Sequence, residues 1–180
     1  MDSSKLSIIF LLPLILSTTQ ISANAPAAGK DHIAQACDNA VNEQLCIDTL
    51  RADPTSKTAD VPGLAAIAIK LAVSNATAIT EKIKQLLPTI TDTFEKGCLK
   101  TCEENYLAAT EQLDDTLAAI KSKGYKDATT WIQAAMTDSE SCEECYEAKP
   151  GYKSKIKDEN TMFQQLCGNA LAIGNILATM

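Results

Sequence analysis

The chain has 180 residues, a formal net charge of −7 and only 4% aromatic residues. That length suits one domain around a single hydrophobic core and calls for no second one. The acidic balance opposes nucleic acid, anionic lipid and polyanionic polysaccharide, and favours a basic protein as partner.

Residues 1–23 carry one lysine, Lys5, followed by an apolar stretch from Leu6 to Leu16 and then small polar residues. This pattern is that of a secretory signal peptide. Ile-Ser-Ala23 and Ala-Asn-Ala25 both satisfy the small-residue rule for cleavage, and Pro26 directly after the second cut favours the first. The mature domain is then expected at 24–180, soluble and extracellular. The leader is too short to span a bilayer, and no later stretch is expected to supply the roughly 20 apolar residues of a membrane helix.

Two short helical segments follow, around 31–37 and 42–51, forming a hairpin over about 30–52. Cys37 and Cys46 close its loop, and its core is too small to fold unaided. Asp53-Pro54-Thr55-Ser56 breaks the chain, and a linker runs to Asp60-Val61-Pro62-Gly63. The bundle, about 58–180, opens with a helix whose apolar face carries Leu64, Ile67, Ala68, Leu71, Ala72, Ile79, Ile83 and Leu86, and which Pro88 terminates. The second bundle helix is expected from about Thr91, burying Phe94, Cys98, Cys102, Tyr106, Ala109, Leu113, Leu117 and Ile120. The third, about Tyr125 to Ala148, buries Ala128, Ile132, Ala135, Ser139, Cys142 and Tyr146. Pro150-Gly151 separates it from the last, about Lys155 to Ala178, with Met162, Phe163, Leu166, Ala170, Ile173 and Leu177 inside. Strand periodicity is absent, so the fold class is all-α: an up-down-up-down four-helix bundle with an N-terminal helical hairpin.

Seven cysteines sort by spacing. Cys102 and Cys142 are centred on residue 122, and Cys98 and Cys145 almost on the same point, within Lys121-Ser-Lys-Gly124. Two antiparallel helices joined there bring both pairs face to face, one turn apart, so a double staple is predicted. Cys167 is left as a free thiol beside the apolar stripe of the last helix, read as a small buried hydrophobe.

Chemistry finds little purchase. Cys98, Cys102, Cys142 and Cys145 have the number for a zinc site, yet an oxidising compartment favours disulfides and the turn glycines of zinc knuckles are missing. Cys142-Glu-Glu-Cys145 sits near a helix C-terminus, where no dipole lowers a thiol pKa. His32 has no second histidine to join and is read as a surface residue. Asp114-Asp115 and Glu143-Glu144 place one carboxylate each on any helix face and are read as solvated surface. There is no glycine-rich phosphate loop and no nucleophile elbow. No enzyme, metal or cofactor is expected. Asn75-Ala-Thr77 is a glycosylation sequon, with Asn75 on the predicted inner stripe, where a glycan would clash.

Several segments resemble the plant invertase and pectin methylesterase inhibitor family. Ala52-Asp-Pro-Thr-Ser56, Ala59-Asp60 and Gly63-Leu64 look like its early motifs. Thr101-Cys-Glu-Glu-Asn-Tyr106 matches its Cys-x-Glu-Asn-Tyr signature, and Trp131-Ile-Gln-Ala-Ala-Met-Thr-Asp138 and Leu166-Cys-Gly-Asn-Ala-Leu-Ala-Ile173 are similar to its later helices. The resemblance implies the same hairpin-and-bundle fold, with disulfides Cys37–Cys46 and Cys102–Cys142. Cys98 and Cys145 depart from that pattern, so the Cys98–Cys145 bridge rests on geometry alone. Invertase inhibitors of the cell-wall type resemble one another in a Pro-Lys-Phe motif at the start of the third bundle helix. Tyr125-Lys126-Asp127 stands there instead, followed by Trp131, which looks like members that inhibit pectin methylesterase. The implied mechanism is one-to-one occlusion of the pectin-binding cleft by a monomer in the apoplast. The contacts it implies are Glu104, Asn105, Ser141 and Glu144, while an acidic residue often present at 108 is alanine here. Acid invertase, in the wall or vacuole, is the alternative target. A secreted helical ligand carrier is the alternative from another class.

Overall fold

The computed structural model describes residues 31–180, so the expected leader lies outside the described residues. All regular structure among the described residues is helical. Helices α1 (His32–Ala36) and α2 (Glu43–Ala52) form the hairpin. A side-chain acceptor caps each: Asp31 Oδ1 takes the Ala34 N–H at 2.9 Å, and Asn42 Oδ1 takes that of Leu45 at 3.0 Å. The Cys37–Cys46 disulfide ties them together. The hairpin lies against the bundle. Asn42 donates its backbone N–H to Asn169 Oδ1 and its side-chain amide to Gln165 Oε1, both at 3.0 Å. Val41 approaches Gly168 so closely that a Cβ there would lie 2.6 Å from a valine methyl.

Asp53 then caps a single 3₁₀ stretch, Pro54–Thr58, whose buried Ser56 accepts at its carbonyl from His32 Nε2 at 2.9 Å. His32 is exposed, as its sequence context suggested.

Four long helices follow: α3 (Val61–Leu86), α4 (Thr93–Lys121), α5 (Tyr125–Glu147) and α6 (Lys157–Ala178). Each packs on the next, and α6 returns to α3, which closes an up-down-up-down bundle. Helix α3 begins inside the expected linker. Asp60 Oδ1 accepts from Gly63 N at 2.9 Å, and Pro62 sits in the first turn, where a missing N–H breaks no helix bond. Pro88 ends α3 through a 3₁₀ turn, and α4 waits until Asp92 can cap it by accepting from Glu95 N at 2.8 Å.

The α5 stripe is buried as predicted, and the α4 stripe is buried except for half-exposed Phe94 and Leu117. On α3, Leu71 and Leu86 are half-exposed, while burial extends beyond the predicted face to Ala65, Ile69, Ala76 and Thr80, because α4 and α6 flank the helix and the hairpin and the 3₁₀ stretch also pack on it. This helix corrects the expectation about membrane-length segments. It is long and apolar enough to cross a bilayer, with a mean hydropathy of 1.5 over its best window. Half of that window is buried inside the protein, which accounts for the apolarity. On α6, Met162 is 40% exposed rather than inside, Cys167 is buried, and Gly168 and Asn169 are buried against the hairpin at Val41 and Asn42. Each large residue fully buried here, such as Phe163 or Leu113, contributes about 1.5–3 kcal/mol.

Polar groups inside the bundle fix its register. Tyr106 donates its hydroxyl to Asn160 Oδ1 and stands edge-on to Phe163, with ring centres 5.3 Å apart. Gln164 donates to the Met136 carbonyl at 2.8 Å and to the Ser139 hydroxyl, tying α6 to α5. The α5–α6 connector turns at Gly151, φ +93°, and clamps onto the start of α4. There Tyr152 stacks edge-on against Phe94 at 4.6 Å and donates to Asp92 at 2.9 Å, and Lys149 lies 4.6 Å from the Tyr152 ring centre.

Candidate functional site

The α4–α5 pair is the most constrained part of the molecule. Two disulfides cross it, Cys98–Cys145 with Cα atoms 5.5 Å apart and Cys102–Cys142 at 4.6 Å. These four cysteines are oxidised in pairs, so the zinc alternative has no thiolates, and no group of three or more metal-binding side chains occurs among the described residues. At the far end Gly124 donates to the Ala119 carbonyl at 2.8 Å and Lys123 to that of Ile120 at 3.0 Å, closing a Schellman turn. Lys123, not the neighbouring glycine, takes the left-handed conformation, with φ 62°.

Charge concentrates on this pair. Helix α4 carries six carboxylates against three lysines and α5 six against one, a formal −8, so the rest of the chain is +1. Glu104 and Glu144 are exposed, while Asn105 and Ser141 are half-buried. Each lies within three residues of a bridged cysteine, so the staples hold all four at one end of the pair. Ser141 donates its hydroxyl back to the Thr137 carbonyl at 3.0 Å, and the Asn105 amide nitrogen is buried without a partner. Ala108 is half-buried and offers no charge.

Three features escaped the sequence reading. Asp138 holds a carboxyl that burial pushes above the usual range, against a hydrogen bond from Gln112 that lowers it. Trp131 is 40% exposed and belongs to the surface. Glu140, Glu143, Glu144 and Glu147 line one groove of about 450 Å³ with Asn160 and Gln164. Their i, i+3, i+4, i+7 spacing is visible in the sequence, but only the fold shows that α6 supplies the opposite wall. Tyr106 is wholly buried, and burial drives its hydroxyl pKa far up, consistent with a core role. Cys167 is likewise buried, reduced and raised in pKa by burial alone. Asn75 is half-buried, with its side-chain oxygen enclosed and unpaired.

The family model described as plant invertase/pectin methylesterase inhibitor matches residues 31–173. The chain belongs to this family. Its members are proteinaceous inhibitors, and the chain is not an enzyme. The carrier reading is thereby set aside. Among relatives, the "Putative invertase inhibitor" of Platanus acerifolia is 34% identical over 97% of both chains. The "Pectinesterase inhibitor" of Actinidia deliciosa is 29% identical over 94% of this chain and 92% of its own. The "Cell wall / vacuolar inhibitor of fructosidase 2" of Arabidopsis thaliana is 30% identical over 90% and 92%. The crystal structure of a mutant form of a pectin methylesterase inhibitor from Arabidopsis superposes with a TM-score of 0.69. At 20% identity, covering 82% of this chain and 97% of that one, it establishes a shared fold. The inhibitor's helical bundle is therefore that of its family, while relatives carry the names of both target classes.

Proposed function

We propose that the protein is a secreted inhibitor of pectin methylesterase, acting as a monomer in the plant apoplast. It lays the α4–α5 face across the substrate cleft one-to-one and excludes polymer without chemical turnover. The observation that carries this reading is the stapled, strongly acidic α4–α5 pair, which presents Glu104, Asn105, Ser141 and Glu144 at one rigid end. A rigid face loses little conformational freedom on docking, and its charge selects a basic enzyme surface. The start of α5, Tyr125-Lys126-Asp127, lacks the proline and phenylalanine of the Pro-Lys-Phe motif shared by cell-wall invertase inhibitors, which favours the esterase over invertase.

A second reading is inhibition of an acid invertase, in the wall or vacuole. The 34% identity to the Platanus acerifolia relative named for invertase favours it. Parallel titration of a plant pectin methylesterase and an acid invertase with the refolded mature protein separates the two. Loss of esterase activity near one equivalent, with invertase untouched, is the expected outcome; the reverse pattern establishes the invertase reading.

A further inference from the structure

We propose that Asp138 and Gln112 form a proton-operated link across the seam between α4 and α5. In its acid form the Asp138 carboxyl donates from Oδ2 to Gln112 Oε1 and accepts from the Gln112 amide, and loss of the proton breaks the first of these bonds. The Gln112 side chain hydrogen-bonds to the Asp138 carboxyl. An amide donates only through its nitrogen, so that bond uses Nε2 and leaves Oε1 over. Gln112 Oε1 and Asp138 Oδ2 are both enclosed and both without a partner, one oxygen from each of the two groups already joined. With Asp138 ionised they are two acceptors, and neither can pair the other. Shut off from solvent, each then carries its desolvation penalty uncompensated. One proton on Oδ2 turns the two into a donor and an acceptor, closing a planar acid–amide pair.

The surroundings leave the proton on Asp138 under the control of this pair. One turn to either side of Asp138 stand Ala134, Ala135, Ser141 and Cys142, none of them charged, and Glu140 beside it is exposed. On α4, Glu111 and Asp115 flank Gln112 and are both exposed. Helix α6, the other helix packed on α5, carries charges only in its first turn, at Lys157, Asp158 and Glu159. No charged group contributes to the shift of the carboxyl, which burial raises and the Gln112 N–H opposes. Since the folded value lies above the unfolded one, the link is complete in acid and is lost as pH rises through the folded value. Its position gives it an effect on the pair of helices. Asp138 lies one turn before Cys142, and Gln112 lies between Cys102 and the Lys123–Gly124 turn, so the link braces the stretch between staples and turn. The α4–α5 pair is therefore stiffer in acid than at neutrality. The link is internal, so its test uses the inhibitor alone and is independent of which enzyme it binds.

The test is an NMR pH titration of the carbon-labelled mature protein, following Asp138 Cγ and Gln112 Cδ from mildly acidic to neutral solution and back. Asp138 Cγ is expected to titrate above the ordinary carboxylate range. Gln112 Cδ, whose oxygen gains a donor, is expected to move downfield on acidification with the same midpoint. Asp138→Asn supplies the control, because its side-chain amide donates and accepts as the carboxylic acid does while holding no proton to lose. In that variant Gln112 Cδ is expected to stay at the acid-form position throughout. A Gln112 Cδ that stays still or moves upfield while Asp138 gains its proton overturns the link. So does an Asp138 midpoint within or below the ordinary range, or a variant that leaves Gln112 Cδ at its neutral-solution position.

Discussion

At residue scale, Lys123 bears the clearest local strain. Its φ of 62° is one that side chains resist and glycine accepts freely. Lys123→Gly is expected to stabilise the protein by about 1 kcal/mol, read as a higher urea midpoint at unchanged slope. Lys-Gly at 123–124 suggests a turn, yet which of the two turns left-handed depends on where α4 runs out, and that was not legible. Asp138 gives a pH prediction. Its carboxyl is raised by burial, so below the unfolded value, near 3.8, both states are protonated and no penalty exists. The penalty grows as pH climbs through the folded value and is complete at neutrality. Asp138→Asn should therefore raise Tm at pH 7, with the gain vanishing near pH 3. Equal gains at both values would show that packing, not charge, sets the effect.

At the scale of elements, the two α4–α5 bridges close nearly the same loop, with sequence separations of 40 and 47. Removing either pair as alanines should cost little, whereas removing both should cost about 4 kcal/mol on the chain-entropy argument. Strict additivity in a chemical-denaturation cycle would refute that redundancy. Gly168 shows why one glycine is required for docking: a methyl there strikes Val41. Gly168→Ala should loosen the hairpin, seen as faster hydrogen exchange at Asn42, and Val41→Ala should restore protection. The four helices, their inner faces and the two-fold cysteine spacing were all legible, because a 3.6-residue period and loop symmetry are local signals. Helix starts were less so. Val61 and Thr93 are set by the caps Asp60 and Asp92, and Met162 is exposed although it shares a helix face with Asn169 two turns on, because the hairpin contacts that face at Asn169, a long-range contact that periodicity does not encode.

Across the whole molecule, the polarity between a −8 helix pair and a +1 remainder orients the protein in the field of a basic partner. Association with the enzyme should slow as ionic strength rises, with dissociation changing less, measurable by stopped-flow mixing. Glu104 and Glu144 are named only through the family resemblance; their exposure is what the fold adds. The glutamate-lined groove was not legible, since it needs a wall from α6. The most direct measurement is inhibition of pectin methylesterase by the wild type and by Glu104→Lys/Glu144→Lys, with Asp48→Lys on the hairpin as a control for charge reversal away from that face. The double reversal on the stapled face should weaken inhibition about tenfold or more while the control inhibits like wild type. Equal inhibition by all three proteins would contradict docking through the α4–α5 face.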